Sequence, residues 1–378
     1  MTLSDICKFI VDCPHSTAED EGMGIPLIRT PNIGRGRFVL EGVHRVCESV
    51  YNQRCARAIP QDDDIIFARE APAGNAAIIK GGEKMCLGQR TVLIRPDTTK
   101  VVPNYLVYYL LAPEQQYKLL GTANGATVAH VNLPTIREMK VDNLPRLEEQ
   151  RKIADILSAY DDLIENNRKQ IKLLEETAQR LYKEWFIDLR FPGHEHTPIL
   201  NGIPEGWKKT LLGDVIEIKY GKDHKNIADG NIPVYGSGGL MRKCEKALYT
   251  GEAVLIPRKG SLNNIMYVNE AFWTVDTMFY TLPKRCDVGF LVYFFLRTLD
   301  MYSLDIGSAV PSMTTSILNS LEMTLPPAAL LEKFQNSVYI YHRQHSLLRH
   351  QNDRLSEARE RLLPWLMYMN INLAATHG

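Results

Sequence analysis

The stretch LEEQRKIADILSAYDDLIENNRKQIKLLEE, residues 147–176, decides how the rest of the chain is read. It contains neither glycine nor proline, and it is charged along most of its length. From Ile153 its apolar positions step alternately by four and three: Ile153, Leu157, Tyr160, Ile164, Asn167, Ile171, Leu174, Ala178, Leu181 and Trp185. A mean step of about 3.5 residues, kept over several heptads, marks a helix with one long apolar stripe. Pro145 suits an early helical position and Pro192 cannot continue a helix, so the spacing predicts a rod from near Pro145 to near Ile187. Roughly 40 residues at a rise of about 1.5 Å span about 60 Å.

The same seam returns 181 positions later as Phe334, Val338, Tyr341, His345, Leu348, Asn352, Leu355, Arg359, Leu362 and Leu366. Each seam follows a Leu-Pro, Leu144-Pro145 and Leu325-Pro326. The preceding segments correspond too: YLVYYLL (105–111) with FLVYFFL (290–296), GATV (125–128) with GSAV (307–310), and LSDI (3–6) with LGDV (212–215). DIIFAREAPAGNAAIIK (64–80) resembles EAVLIPRKGSLNNIMYV (252–268), and with a shift of one residue Arg69 falls on Arg258. A repeat of half the chain implies two similar units related by an approximate two-fold.

The expected architecture is therefore α+β. Two similar mixed α/β regions, residues 1–143 and 192–325, are separated by two long helices, residues 144–191 and 326–378, the second ending in a short tail. Short β-branched or aromatic runs (Ile65–Phe67, Ala77–Ile79, Thr91–Ile94, Val254–Ile256, Phe272–Val275) read as strands between glycine-rich turns. Short helices are expected before Gly125 and Gly307. Pro364 should kink or end the second long helix.

A rod with one apolar stripe needs a partner, and the second rod supplies it. Antiparallel pairing gives a register in which facing residue numbers sum to about 519, so that Asn167 faces Asn352, Ile171 faces Leu348 and Leu174 faces His345. Two asparagines meeting at seam positions would fix register at some cost in stability; the alternative is that both face water at a frayed seam.

Composition narrows the class. The chain carries 44 basic and 44 acidic residues, and residues 1–143 are balanced at 16 of each. A surface that grips nucleic acid everywhere would be more basic. Seven cysteines, an odd number with no C-x-x-C pair, argue for reduced thiols rather than a disulfide framework or thiolate zinc site. No basic and then apolar leader opens the sequence and no run is of membrane-spanning length, so a cytoplasmic location is expected.

Catalytic parts are missing from the sequence. There is no N-P-P-[YF] or D-P-P-Y segment for a flipped base and no G-x-G after a strand for S-adenosylmethionine. No G-x-x-x-x-G-K-[ST] loop is present for phosphates. Glu138-x-Lys140 and Glu217-x-Lys219 each offer half of a nuclease-like pair without an upstream aspartate, and they read as solvated charge. His194-Glu195-His196 lies in a Pro/Gly loop with no third ligand nearby, so no metal is assigned to it.

At this point the residues match a family. LPRLEEQRKIADIL running into NNRKQIKLLEE resembles the helical region of type I restriction-modification specificity subunits. IPEGWKKTLLGDV (203–215) looks like the opening of one of that family's target-recognition domains, and IPVYGSGG (232–239) like a loop within them. The resemblance covers nearly the whole chain. It implies two target-recognition domains, each reading one half of a bipartite double-stranded DNA site. The helices would set the spacing between half-sites and dock two modification (methyltransferase) subunits, with restriction subunits able to join. It implies a non-catalytic chain without cofactors of its own; S-adenosylmethionine, ATP and Mg would sit on the partners. The first unit lacks a counterpart of Gly206-Trp207, and Glu148, Glu149 and Gln150 have none in LPPAALLEKF.

Readout of bases needs arginine, lysine, asparagine or glutamine on rigid supports. In the first unit IRTPNIGRGRF offers Arg29, Asn32, Arg35 and Arg37, and Arg69 follows a strand. In the second unit Lys222, Lys225, Tyr235, Ser237, Arg242 and Lys243 surround the matching loop, with Arg258 and Lys259 after the equivalent strand. A coiled-coil interaction scaffold with no DNA readout would share the fold, and the neutral charge suits it.

Overall fold

The computed structural model describes residues 1–121, 130–142, 144–285, 287–304 and 312–375, with side chains described to residue 367. The GATV and GSAV turns and Cys286 lie outside the described residues. The chain divides into two compact units, Met1–Arg168 with Arg349–Gly378, and Lys169–Leu348. Each unit holds one globular region together with a stretch of both long helices.

In the first unit, a five-stranded sheet runs in the order Cys7–Asp12, Thr91–Pro96, Ile65–Ala68, Ala76–Ile78 and Arg35–Gly36. Neighbours are antiparallel except the last pair, which is parallel. Ile65–Ala68 lies at the centre and is buried at every position, as a strand covered on both faces must be. In the second unit, a six-stranded sheet runs Ile216–Tyr220, Met278–Pro283, Tyr249–Pro257, Met266–Thr274, Asp229–Gly236 and Gly239–Cys244. Its fifth strand again joins in parallel, Val234 beside Trp273. The two sheets thus share their strand order, and the second adds one hairpin strand at the edge.

The same backbone frame recurs around both sheets. The Leu3 N–H donates to the Met139 carbonyl at 2.9 Å and the Leu212 N–H to Leu321 at 2.8 Å. Each therefore ties the short helical turn that leads into its sheet to the segment before a long helix. The helices Pro103–Leu111 and Gly289–Arg297 are the two apolar segments matched in sequence, and both are largely buried. Each start is bonded by a glutamine of a long helix. The Val102 N–H donates to Gln150 Oε1 at 2.7 Å and the Phe290 N–H to Gln335 Oε1 at 3.3 Å. Gln150 therefore has a counterpart after all. Gln335 takes its part from one helical turn further along, beyond the reach of a residue-by-residue match.

The first long helix runs Leu147–Tyr182 and closes in a π turn at Lys183–Ile187. Glu148 and Glu149 in its first turn suit the positive end of the helix dipole, and Lys152 pairs with Glu148 at 3.0 Å. The second long helix runs Ala328–Ala375 and passes through Pro364 instead of ending there. Leu362, Leu363, Leu366 and Met367 on either side of Pro364 pack into the first core. That burial outweighs the missing hydrogen bond, as tertiary packing commonly overrides local propensity.

Within each unit the two helices run antiparallel in the expected register. In the first, Asn167 Nδ2 donates to Asn352 Oδ1 at 2.9 Å and to Gln351 Oε1 at 3.2 Å, and Asn167 is buried. The asparagines therefore pair instead of facing water. In the second, His345 Nε2 lies 3.0 Å from Glu175. The seam is most buried where it meets a sheet. Ile153, Leu157 and Leu363 belong to the first core, and Ala178, Tyr182, Phe334 and Val338 to the second. Tyr160, Ile171, Leu174, Leu181, Tyr341, Leu355 and Leu362 are only half-buried, because two helices alone cannot enclose a side chain.

Candidate nucleic-acid interface

The second unit gathers its exposed cations around the ends of neighbouring strands. Past Tyr220 the chain crosses so close to the next strand that a Cβ on Gly221 would lie 2.0 Å from the Val275 carbonyl oxygen. Only glycine allows this crossing. It fixes Lys222, whose N–H donates to the Thr274 carbonyl at 2.9 Å and whose own carbonyl accepts from Trp273 Nε1 at 2.9 Å. The Tyr235 carbonyl accepts from the Val275 N–H at 3.1 Å, and its hydroxyl donates to Glu270 at 2.7 Å. At the hairpin tip the Ser237 carbonyl accepts from Asn264 Nδ2 at 2.8 Å, which seats the glycine-rich turn against the loop after Arg258. The Arg258 and Lys259 N–H groups both donate to the Thr277 carbonyl.

The Arg258 guanidinium lies 5.6 Å from the centre of the Tyr220 ring, and Tyr220 is 51% exposed. An exposed cation–π contact of this kind contributes about 0.5–1 kcal/mol and limits where the guanidinium can point. Among the described residues Lys222, Lys243, Arg258 and Lys259 form no ion pair with a carboxylate. Lys225 is exposed beside Asp223, whose carboxyl accepts from the Lys225 N–H. Arg242 is committed inside its own unit, with Nη1 on Asp229 at 2.7 Å, Nε on His224 at 3.1 Å and Nη2 on the Ile227 carbonyl at 2.8 Å. Lys222, Tyr235, Ser237, Arg258 and Lys259 are thus brought together. Arg242 is instead an internal brace for the loop that leads into the neighbouring strand Asp229–Gly236.

The first unit uses its matching residues differently. Asn32 is buried. Its Oδ1 accepts from the Arg29 N–H at 3.2 Å and its Nδ2 donates to the Val39 carbonyl at 3.1 Å, so both ends of the amide are spent on the local turn. Arg69 is buried, with Nε on the Val131 carbonyl at 2.9 Å and Nη2 on His130 at 3.0 Å. Arg35 binds Glu360 through Nε at 3.2 Å and Nη2 at 3.1 Å. Arg37 pairs with Asp162 and lies 3.9 Å from Glu165. Burial works against the charged form of Arg37, but Asp162 and its neighbours more than compensate and raise its pKa. Asn32, Arg35, Arg37 and Arg69 therefore do not converge on an open face. Arg29 stands apart, half-buried, with its Nε enclosed and without a partner.

Arg69 and Arg258 nonetheless occupy the same frame. The Val131 N–H donates to the Arg69 carbonyl at 3.0 Å and the Met313 N–H to the Arg258 carbonyl at 2.9 Å. One side chain turns inward to His130 and the other outward over Tyr220. Next to Arg69, Glu70 gathers Arg90 and His130, the latter at 2.6 Å.

Sequence reasoning missed Tyr220 and the acidic partners Asp162, Glu165 and Glu360. Tyr220 ends a strand directly before Gly221, and that aromatic–glycine step was an available signal. Glu217 and Lys219 pair with each other, which accounts for that carboxylate–lysine spacing. No group of three or more potential metal ligands occurs among the described residues. No described helix is long and apolar enough to cross a membrane.

A family model described as the type I restriction modification DNA specificity domain matches residues 1–176 and 204–341. The type I restriction enzyme MjaIX specificity subunit of Methanocaldococcus jannaschii is 26% identical over 380 residues, covering 92% of this chain and 87% of the relative. The putative MjaX specificity subunit of the same organism is 26% identical, covering 86% and 82%. The crystal structure of a type I restriction-modification S subunit from M. genitalium superposes with a TM-score of 0.57 at 16% identity, covering 97% of this chain and 95% of its own, a likeness of fold. With both halves matched to one family model, the chain belongs to the type I restriction-modification DNA specificity family, as a specificity subunit.

Proposed function

We propose that each globular region of this specificity subunit reads one half of a bipartite double-stranded DNA site, while the paired helices set the spacing and dock two modification subunits. Restriction subunits are able to join the same assembly. The chain itself does no chemistry: adenine methylation and ATP-dependent cleavage, with S-adenosylmethionine, ATP and Mg, belong to the partners. The work takes place in the cytoplasm.

The observation that carries this reading is the pair Arg69 and Arg258. Two copies of one backbone frame present different side-chain environments at the same place, as two readers of different half-sites require. In the second unit the free cations, with Arg258 braced on Tyr220, suit contact with base edges and phosphates. The neutral net charge means that much of the phosphate grip comes from the partner subunits.

The test is to map methylation in cells that carry the full chain and its modification partner. A two-part motif with unlike halves is expected. Arg258→Ala with Lys259→Ala should weaken or relax one half only, with roughly 10–100-fold less discrimination there, the scale of about 1–3 kcal/mol for one good base contact. A continuous motif, or equal damage to both halves, would contradict the reading.

A further inference from the structure

The strand Arg35–Gly36, at the edge of the first sheet, is anchored to both long helices through one buried polar network. Asp161 of the first helix is 2% exposed. Its Oδ2 accepts from the Tyr108 hydroxyl at 2.6 Å, and its Oδ1 accepts from Arg359 of the second helix. Arg359 Nη1 also donates to the Arg35 carbonyl at 3.0 Å, and its Nη2 donates to Glu360 at 2.6 Å. Glu360 in turn holds the Arg35 guanidinium, whose Nη2 reaches the Leu111 carbonyl at 3.1 Å. Gly36, at φ +97°, lets the strand come this close: a Cβ there would lie 2.6 Å from Asp161 Oδ2.

A buried ion pair of this kind adds little net stability, because desolvation of both charges offsets most of their attraction. Replacing both partners with apolar side chains is often neutral for stability. What the network supplies is geometry: three hydrogen-bonded elements meet at one arginine, and none can rotate without breaking a charged contact. The corresponding strand of the second unit has no such charged anchor among the described residues. The second unit joins sheet to helix through Glu252, which accepts from Tyr267 at 2.7 Å and from Gln335 at 3.0 Å.

We propose that Asp161 and Arg359 are positioning residues, which fix the angle of the first recognition sheet on the helix pair and so restrict the spacer length accepted between the two half-sites. The inference rests on the functional reading above. A recognition sheet free to tilt on its helices would keep its base contacts but reach half-sites at neighbouring spacings.

The test uses the full chain in complex with its modification partner and a DNA library in which the spacer varies by single base pairs. Asp161→Leu combined with Arg359→Met should leave the half-site letters and the melting temperature nearly unchanged. Preference for the best spacer over its neighbours should fall about tenfold, equivalent to 1.4 kcal/mol of lost discrimination. Glu360→Gln, at the half-exposed edge of the network, should widen the spacer range in the same direction but less. Arg359→Lys should not restore it, since one ammonium cannot span Asp161, Glu360 and the Arg35 carbonyl together. An unchanged spacer preference in the assembled double variant or in Glu360→Gln would overturn the proposal. So would full recovery with lysine. A wild-type complex that methylates no two-part site would instead overturn the functional reading.

Discussion

Glu252 shows how one side chain carries a pH dependence for its unit. Burial pushes its carboxyl above the ordinary glutamate range, although Tyr267 and Gln335 both donate to it. A folded-state pKa above the unfolded value means that the native unit binds the proton more tightly. The stabilising contribution is therefore complete below the ordinary glutamate range and is lost as pH rises through the raised value. Glu252→Gln keeps the acceptor and removes the titration. Its melting temperature relative to wild type should climb as pH rises from the ordinary glutamate range through the raised value and then level off. A difference that stays flat across that window would show that the burial of Glu252 has no energetic consequence. Arg359 is a residue whose role was partly legible in sequence. An arginine at a seam position demands an acidic partner, and the antiparallel register sets it beside Tyr160 and Asp161. The extension to Arg35 and Glu360 was not legible, because it joins positions more than 300 residues apart through a fold that periodicity does not specify.

At the scale of elements, the Ala328–Ala375 helix is the place where local propensity and packing disagree. Pro364 leaves the Glu360 carbonyl without its helical donor and costs an interior helix about 3 kcal/mol relative to alanine. Pro364 is exposed while Leu363 and Met367 beside it are buried, so the ring itself contributes no core packing. Pro364→Ala should therefore stabilise the first unit by about 1–3 kcal/mol, a rise of about 2–4 °C per kcal/mol in a thermal melt. A lower melting temperature would mean that a proline bend is needed to aim the leucines at the core. The helices were readable, the second as far as Pro364, because a heptad pattern without glycine or proline has few alternatives. The strands were readable where β-branched runs lie between glycines, as at Ile65–Ala68. The edge strand Arg35–Gly36 was not, since two residues carry no periodicity and their pairing with Ala76 and Ala77 is purely tertiary.

At the scale of the molecule, duplication explains both what repeats and what differs. The two sheets share strand order and the bonds from Val131 to Arg69 and from Met313 to Arg258, so the frame follows from the doubled sequence. The side chains on that frame have diverged, and their arrangement could not be read from a repeat alone. Both long helices are continuous across the boundary between the compact units, at residues 168–169 and 348–349. If their length sets the spacing of the half-sites, shortening both in register must change it. Removing residues 168–174 and 345–351 deletes one heptad from each helix and keeps the Asn167–Asn352 pair. At about 1.5 Å per residue this takes about 10 Å from the rods, close to three base pairs at about 3.4 Å each. The preferred spacer in methylated sites should shorten by about three base pairs, while both half-site sequences stay as they were. An unchanged spacer in a complex that still methylates DNA would show that the rods do not measure the distance.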